Sequence, residues 1–93
     1  MSNFKDFQRT ILSLSGVWKN ESSVYFSQMK DGYSAAYKPN YPKGSTRDMI
    51  IQTIDKSGAY RRGNYELMIF LDNKYQSIYF QNIAQLREYF KKQ

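Results

Sequence analysis

The apolar residues of this 93-residue chain change period twice. Near the N-terminus Phe4, Phe7, Ile11 and Leu14 recur at steps of three and four, which makes one stripe of an α-helix. From Val17 the helical spacing is lost, and short runs of β-branched and aromatic residues alternate with Gly, Pro, Asn and Asp. After Asn82 the helical spacing returns in Ile83, Leu86 and Phe90. Runs of strands with no helix between them pair antiparallel. The spacing therefore predicts one α+β domain over residues 1–93: an N-terminal helix, a mainly antiparallel sheet of four or five strands, and a C-terminal helix.

Local signals set the expected boundaries. Ser2 or Asn3 can cap the first helix, and Gly16 can end it in a left-handed turn. Residues 22–29 form a strand centred on Val24, Tyr25 and Phe26, and Asp31-Gly32 signals a hairpin. Residues 33–38 alternate, with Tyr33, Ala35 and Tyr37 on one face, though Ala35 and Ala36 weaken the strand propensity. Pro39 and Pro42 bracket Asn40-Tyr41 in a polar loop that Lys43-Gly44-Ser45 completes. Residues 49–54 supply a third strand, with Ile50, Ile51 and Ile54 as core candidates, and Lys56-Ser57-Gly58 marks a turn. The run 65–71 is the most apolar, so it is predicted as a central strand covered on both faces. Asp72-Asn73-Lys74 turns the chain, and residues 75–80 return as a hairpin. Asn82 with Gln85 three residues later forms a capping box, and Lys91 and Lys92 lie where a helix dipole favours cations.

Composition removes several chemistries. The chain has no Cys and no His. That excludes disulfides, thiolate zinc sites, thiol catalysis and every arrangement built on a histidine base. The eight carboxylates are scattered, where paired acid–base work or a two-metal site needs them clustered. No cofactor, metal or catalytic residue is expected. Lys5, Asp6, Gln8 and Arg9 interrupt the N-terminus, and no stretch approaches a membrane span, so a soluble cytoplasmic chain is expected. The net charge of +6 raises the on-rate for anionic partners, or merely keeps the protein soluble.

Function is sought in residues 30–62. Lys30, Lys38, Lys43, Arg47, Lys56, Arg61 and Arg62 fall there, seven of the 14 basic residues, against three acidic ones, Asp31, Asp48 and Asp55. Tyr33, Tyr37, Tyr41 and Tyr60 lie among them. Positive charge mixed with flat rings suits single-stranded nucleic acid, where each stacked base contributes about 1–3 kcal/mol. The candidate binding residues are Tyr33, Tyr37, Lys38, Tyr41, Lys43, Arg47, Tyr60, Arg61 and Arg62. Arg61-Arg62, between Gly58 and Gly63, suits phosphate or carboxylate through a bidentate fork, or is a solvated turn. Lys43-Gly44-Ser45-Thr46 lacks the glycine spacing of a phosphate-binding loop. Trp18, the one tryptophan, is expected to pack helix against sheet.

A histidine-free ribonuclease is a further possibility, with Tyr60, Arg61, Arg62 and Glu66 as its players. Small basic mRNA-cleaving toxins work in that manner, but the chain lacks their second N-terminal helix and basic-aromatic C-terminal end. The element order over residues 24–92 resembles that of the single-strand-binding domains of a transcriptional coactivator family. That likeness is one of order alone and carries over no site residue. The leading expectation is a small, non-catalytic, regulatory nucleic-acid-binding protein for single-stranded DNA or RNA, with a homodimer plausible. The alternative is an inhibitor or adaptor, of the kind phages and mobile elements encode, that binds an acidic protein surface through the same Tyr and Arg residues.

Overall fold

The computed structural model describes residues 4–39, 48–54, 57–59, 61 and 63–92. They form α1 (Phe4–Leu12), β1 (Val24–Gln28), β2 (Tyr33–Tyr37), β3 (Met49–Gln52), β4 (Tyr65–Leu71), β5 (Lys74–Phe80) and α2 (Ile83–Lys91). The strands make one antiparallel meander in the order β1-β2-β3-β4-β5. This is the small α+β domain that the change of period predicts, with five strands.

Register decides which side chains share a face. Directly opposed residues in an antiparallel sheet point the same way. One face therefore carries Val24 and Phe26, then Tyr33, Ala35 and Tyr37, then Met49 and Ile51, then Leu67 and Ile69, and Phe80. Both helices pack here. Phe4 and Phe7 of α1 meet Phe26 and Tyr33, with ring centroids 5.5–6.5 Å apart. Tyr89 of α2 meets Phe80 edge-on at 5.6 Å. Trp18, on a 3₁₀ turn over Gly16–Lys19, lies between the layers against Tyr37 and Phe90 and is wholly buried. Ile11, Leu14, Ile51, Leu67 and Leu86 complete the fully buried centre. Each such side chain contributes roughly 1.5–3 kcal/mol by leaving water.

The predicted start of the last helix holds, whereas Ser2 and Asn3, the expected caps of the first, lie outside the described residues. Asn82 Oδ1 accepts from Gln85 N at 2.9 Å, the forward half of the capping box, while Gln85 Oε1 reaches one residue further back and accepts from Gln81 N at 2.8 Å. Gly16 has φ +78°, as a left-handed stop requires, although α1 ends earlier, at Leu12. Asp72 and Asn73 both have positive φ, 52° and 64°, so β4 and β5 join through a two-residue turn of the hairpin type.

Three expectations change. Residues 22 and 23 belong to a 3₁₀ turn over Glu21–Ser23, so β1 starts only at Val24. The third strand stops at Gln52, and Ile50 points away from the helices while Ile51 points toward them. β4 lies second from an edge, and its burial fades from Tyr65, Glu66 and Leu67 to an exposed Leu71. Its continuous apolar run reflects one helix-covered face and a second face that no helix covers among the described residues.

Candidate binding surface

That second face holds the side chains of alternate residues. Across the strands run Tyr25, Ala36, Ile50, Met68 and Ser77 in one row, and Ser34, Gln52, Glu66 and Tyr79 in the next. Phe70 and Tyr75 form a third pair, with ring centroids 5.0 Å apart. Between the rings lie the buried Ile50 and the half-buried Met68, a narrow apolar strip. Tyr25 stands at one edge of the sheet, and Tyr75 and Tyr79 stand at the other. All three rings stay more than a third exposed, at 39%, 36% and 37%. Lys38 Nζ lies 5.5 Å from the centroid of the Tyr25 ring, a cation–π distance.

One acidic group anchors this surface. Glu66 is buried, at 7% exposure. Its two oxygens accept from Gln52 Nε2 at 2.7 Å and from Tyr79 Oη at 3.0 Å. A buried carboxylate is tolerable only when hydrogen-bonded in this way. The network also ties the Tyr79 hydroxyl to the residue directly opposite it on β4. Glu66, weighed above as a proton carrier, is thus engaged in holding an aromatic side chain.

Among the sequence candidates, Tyr33, Tyr37, Lys38 and Arg61 lie in the described residues. Tyr41, Lys43, Arg47, Tyr60 and Arg62 lie outside them. Tyr33 and Tyr37 do share a face, as the alternation predicts. It is the helix-covered face, where Tyr33 packs on Phe4 and Phe7 and Tyr37 packs on Trp18. Both rings are half-buried and serve the joint between helix and sheet. Lys38 lies at the end of β2, on the opposite face, beside Tyr25. Arg61 is exposed at the far end of the sheet, where its N–H donates to Thr53 O at 3.0 Å. Thr53 is bonded to Tyr33 through both backbone and hydroxyl, so Arg61 belongs to the Tyr33 end of β2. The five steps from Tyr33 to Lys38 span about 17 Å at roughly 3.4 Å each. Lys38 and Arg61 therefore lie at opposite ends of β2.

Tyr25, Tyr75 and Tyr79 are the residues that charge clustering passes over. Their signal is period-two alternation: Tyr25 alternates with the inward Val24 and Phe26, and Tyr75, Ser77 and Tyr79 recur at every second position of β5. No protein family matches the chain, and no curated protein or solved structure is detectably similar to it. The functional reading rests on the residues themselves. Among the described residues no helix is long and apolar enough to cross a membrane.

Proposed function

We propose that this protein is a non-catalytic nucleic-acid-binding module that lays single-stranded DNA or RNA across the helix-free face of its sheet. The supporting observation is that face itself, with Tyr25, Tyr75 and Tyr79 exposed on either side of the Ile50–Met68 strip. Aromatic rings standing on an open sheet give unpaired bases a stacking surface. Lys38 and Arg61, at opposite ends of β2, would meet the phosphates of a strand crossing between them, and the net charge of +6 favours its approach. Pairing of a second copy along the edge of β5 would extend this face across both copies.

The test is oligonucleotide binding followed as salt is raised. Affinity for unstructured single strands should fall steeply with salt, in proportion to the phosphates neutralised. Tyr25→Ala and Tyr75→Ala should each weaken binding by about 1–3 kcal/mol, since each removes one stacking ring. No binding of any single-stranded oligonucleotide at low salt would overturn the reading. A second reading, a protein-binding adaptor or inhibitor, is favoured by the apolar character of the half-buried Met68 and Phe70 and the exposed Leu71.

A further inference from the structure

β1 is an edge strand whose backbone hydrogen bonding is half used. Met29 N donates to Gly32 O at 2.8 Å, and Lys38 N donates to Ser23 O at 2.8 Å. In an antiparallel ladder bonded pairs alternate, so these two bonds make the odd-numbered residues of β1 the ones joined to β2. Val24, Phe26 and Gln28 consequently turn their backbone groups to the open side, where no strand pairs among the described residues; the Val24 N–H is taken by Glu21 O at the end of the 3₁₀ turn, so Phe26 and Gln28 offer both N–H and C=O there. An open edge is ordinarily blunted by charge, by proline or by a bulge. β1 reads Val-Tyr-Phe-Ser-Gln and runs in unbroken register with β2, so it carries none of these.

The side chains of Val24 and Phe26 face a cleft between β1 and α1. It encloses about 440 Å³ and is lined by Lys5, Gln8, Arg9 and Leu12 of α1, by Val24 and Phe26, and by Glu21. Leu12, Val24 and Phe26 make its apolar floor. Lys5 and Arg9, four residues apart, place two positive charges one helical turn from each other along the helical wall. Arg9 also bonds Asp6 at 3.2 Å, but with 76% and 42% of the two side chains exposed the pair contributes little and can exchange. An open strand edge beside a helix is the geometry in which an extended peptide adds as another strand and drops alternate side chains into the groove. A nucleic-acid or lipid anion could use the charge, but neither offers a backbone that pairs with successive N–H and C=O groups.

We propose that the β1–α1 cleft is a strand-addition site for an extended acidic segment of a protein partner. The segment's main chain pairs with Phe26 and Gln28. Its apolar side chains rest on Leu12, Val24 and Phe26, and its carboxylates face Lys5 and Arg9. The site uses neither Tyr25, Tyr75 nor Tyr79, so it stands or falls independently of nucleic-acid binding.

Selection from a random peptide display library against the whole chain tests this. Enriched peptides should alternate acidic and apolar residues, and adding one should slow hydrogen exchange at the Phe26 and Gln28 amides. N-methylation of alternate amides in that peptide should weaken it roughly tenfold or more, because each blocked amide forfeits a main-chain hydrogen bond. Lys5→Glu with Arg9→Glu should weaken it by a similar factor and remove the acidic preference. Should that double variant fail to fold, Lys5→Gln with Arg9→Gln gives the same readout without charge reversal. The proposal is overturned if no peptide is enriched, or if enriched peptides tolerate both N-methylation and the Lys5/Arg9 changes. Protection confined to other elements, or self-association through β1 that the peptides do not displace, overturns it equally.

Discussion

Tyr25 and Tyr37 belong to one hairpin and end on opposite sides of the sheet. Val24, not Tyr25, is opposite Tyr37, and that single step of register sends one ring to solvent and the other onto Trp18. Alternation in the sequence shows which residues share a face. It does not show which face the helices cover, because both faces of β1 and β2 carry aromatic residues. That is why Tyr33 and Tyr37, rather than Tyr25, read as binding residues. Tyr65 shows what burial does to a phenol. Loss of solvent around it raises its pKa above the ordinary value near 10, and the Arg87 charge offsets this only in part. A raised folded-state pKa means stability that is complete below about pH 10 and is lost as pH climbs from there through the folded value. Tyr65→Phe should therefore leave neutral-pH stability nearly unchanged and reduce the alkaline loss. Denaturant titrations at neutral and strongly alkaline pH, compared between the two proteins, check this, and equal alkaline loss in both would refute it.

Among the elements, the best-anticipated were those whose ends carry their own chemistry. α2 is fixed by Asn82, Gln85 and an apolar stripe, all local in sequence, and it forms over the residues these indicate. The turn at Asp72-Asn73 is equally local, because Asn and Asp tolerate the left-handed backbone. The middle strands were placed less well. Residues 65–71 read as covered on both faces because Leu67, Met68, Ile69 and Phe70 are consecutive, and nothing local says that Met68 and Phe70 face no helix. The sequence reads β1 as starting earlier than it does because Ser22 and Ser23 fit a strand or a 3₁₀ turn equally well. The cap of α2 gives a direct measure of local coding. Asn82→Ala removes the acceptor for Gln85 N and should cost about 1 kcal/mol, whereas Asn82→Asp or Asn82→Ser should retain most of it. Chemical denaturation of the three variants reads the difference; an alanine as stable as the serine would mean that packing of Leu86 and Phe90 alone sets the helix start.

For the whole molecule, one residue couples layers that are far apart in sequence. α1 packs toward β2 and α2 toward β5, near opposite edges of the same sheet face. Trp18 bridges them by meeting Tyr37 of β2 on one side and Phe90 of α2 on the other. Its Nε1 is buried without an acceptor, a cost of about 1–3 kcal/mol that the surrounding contacts must exceed. A binding surface gains from this arrangement, because a rigid helix layer behind the sheet keeps Tyr25, Tyr75 and Tyr79 at fixed separations on its front. If the two helices fold as one unit with the sheet, removing the bridge should weaken everything together. Trp18→Ala should cost about 3–5 kcal/mol, the range for a large aromatic truncated in a core, reduced by relief of the unpaired N–H. The helical far-ultraviolet signal and tyrosine fluorescence should still be lost in one coincident transition. Two separated transitions, with the helices melting before the sheet, would instead show that the five strands hold their open face without Trp18.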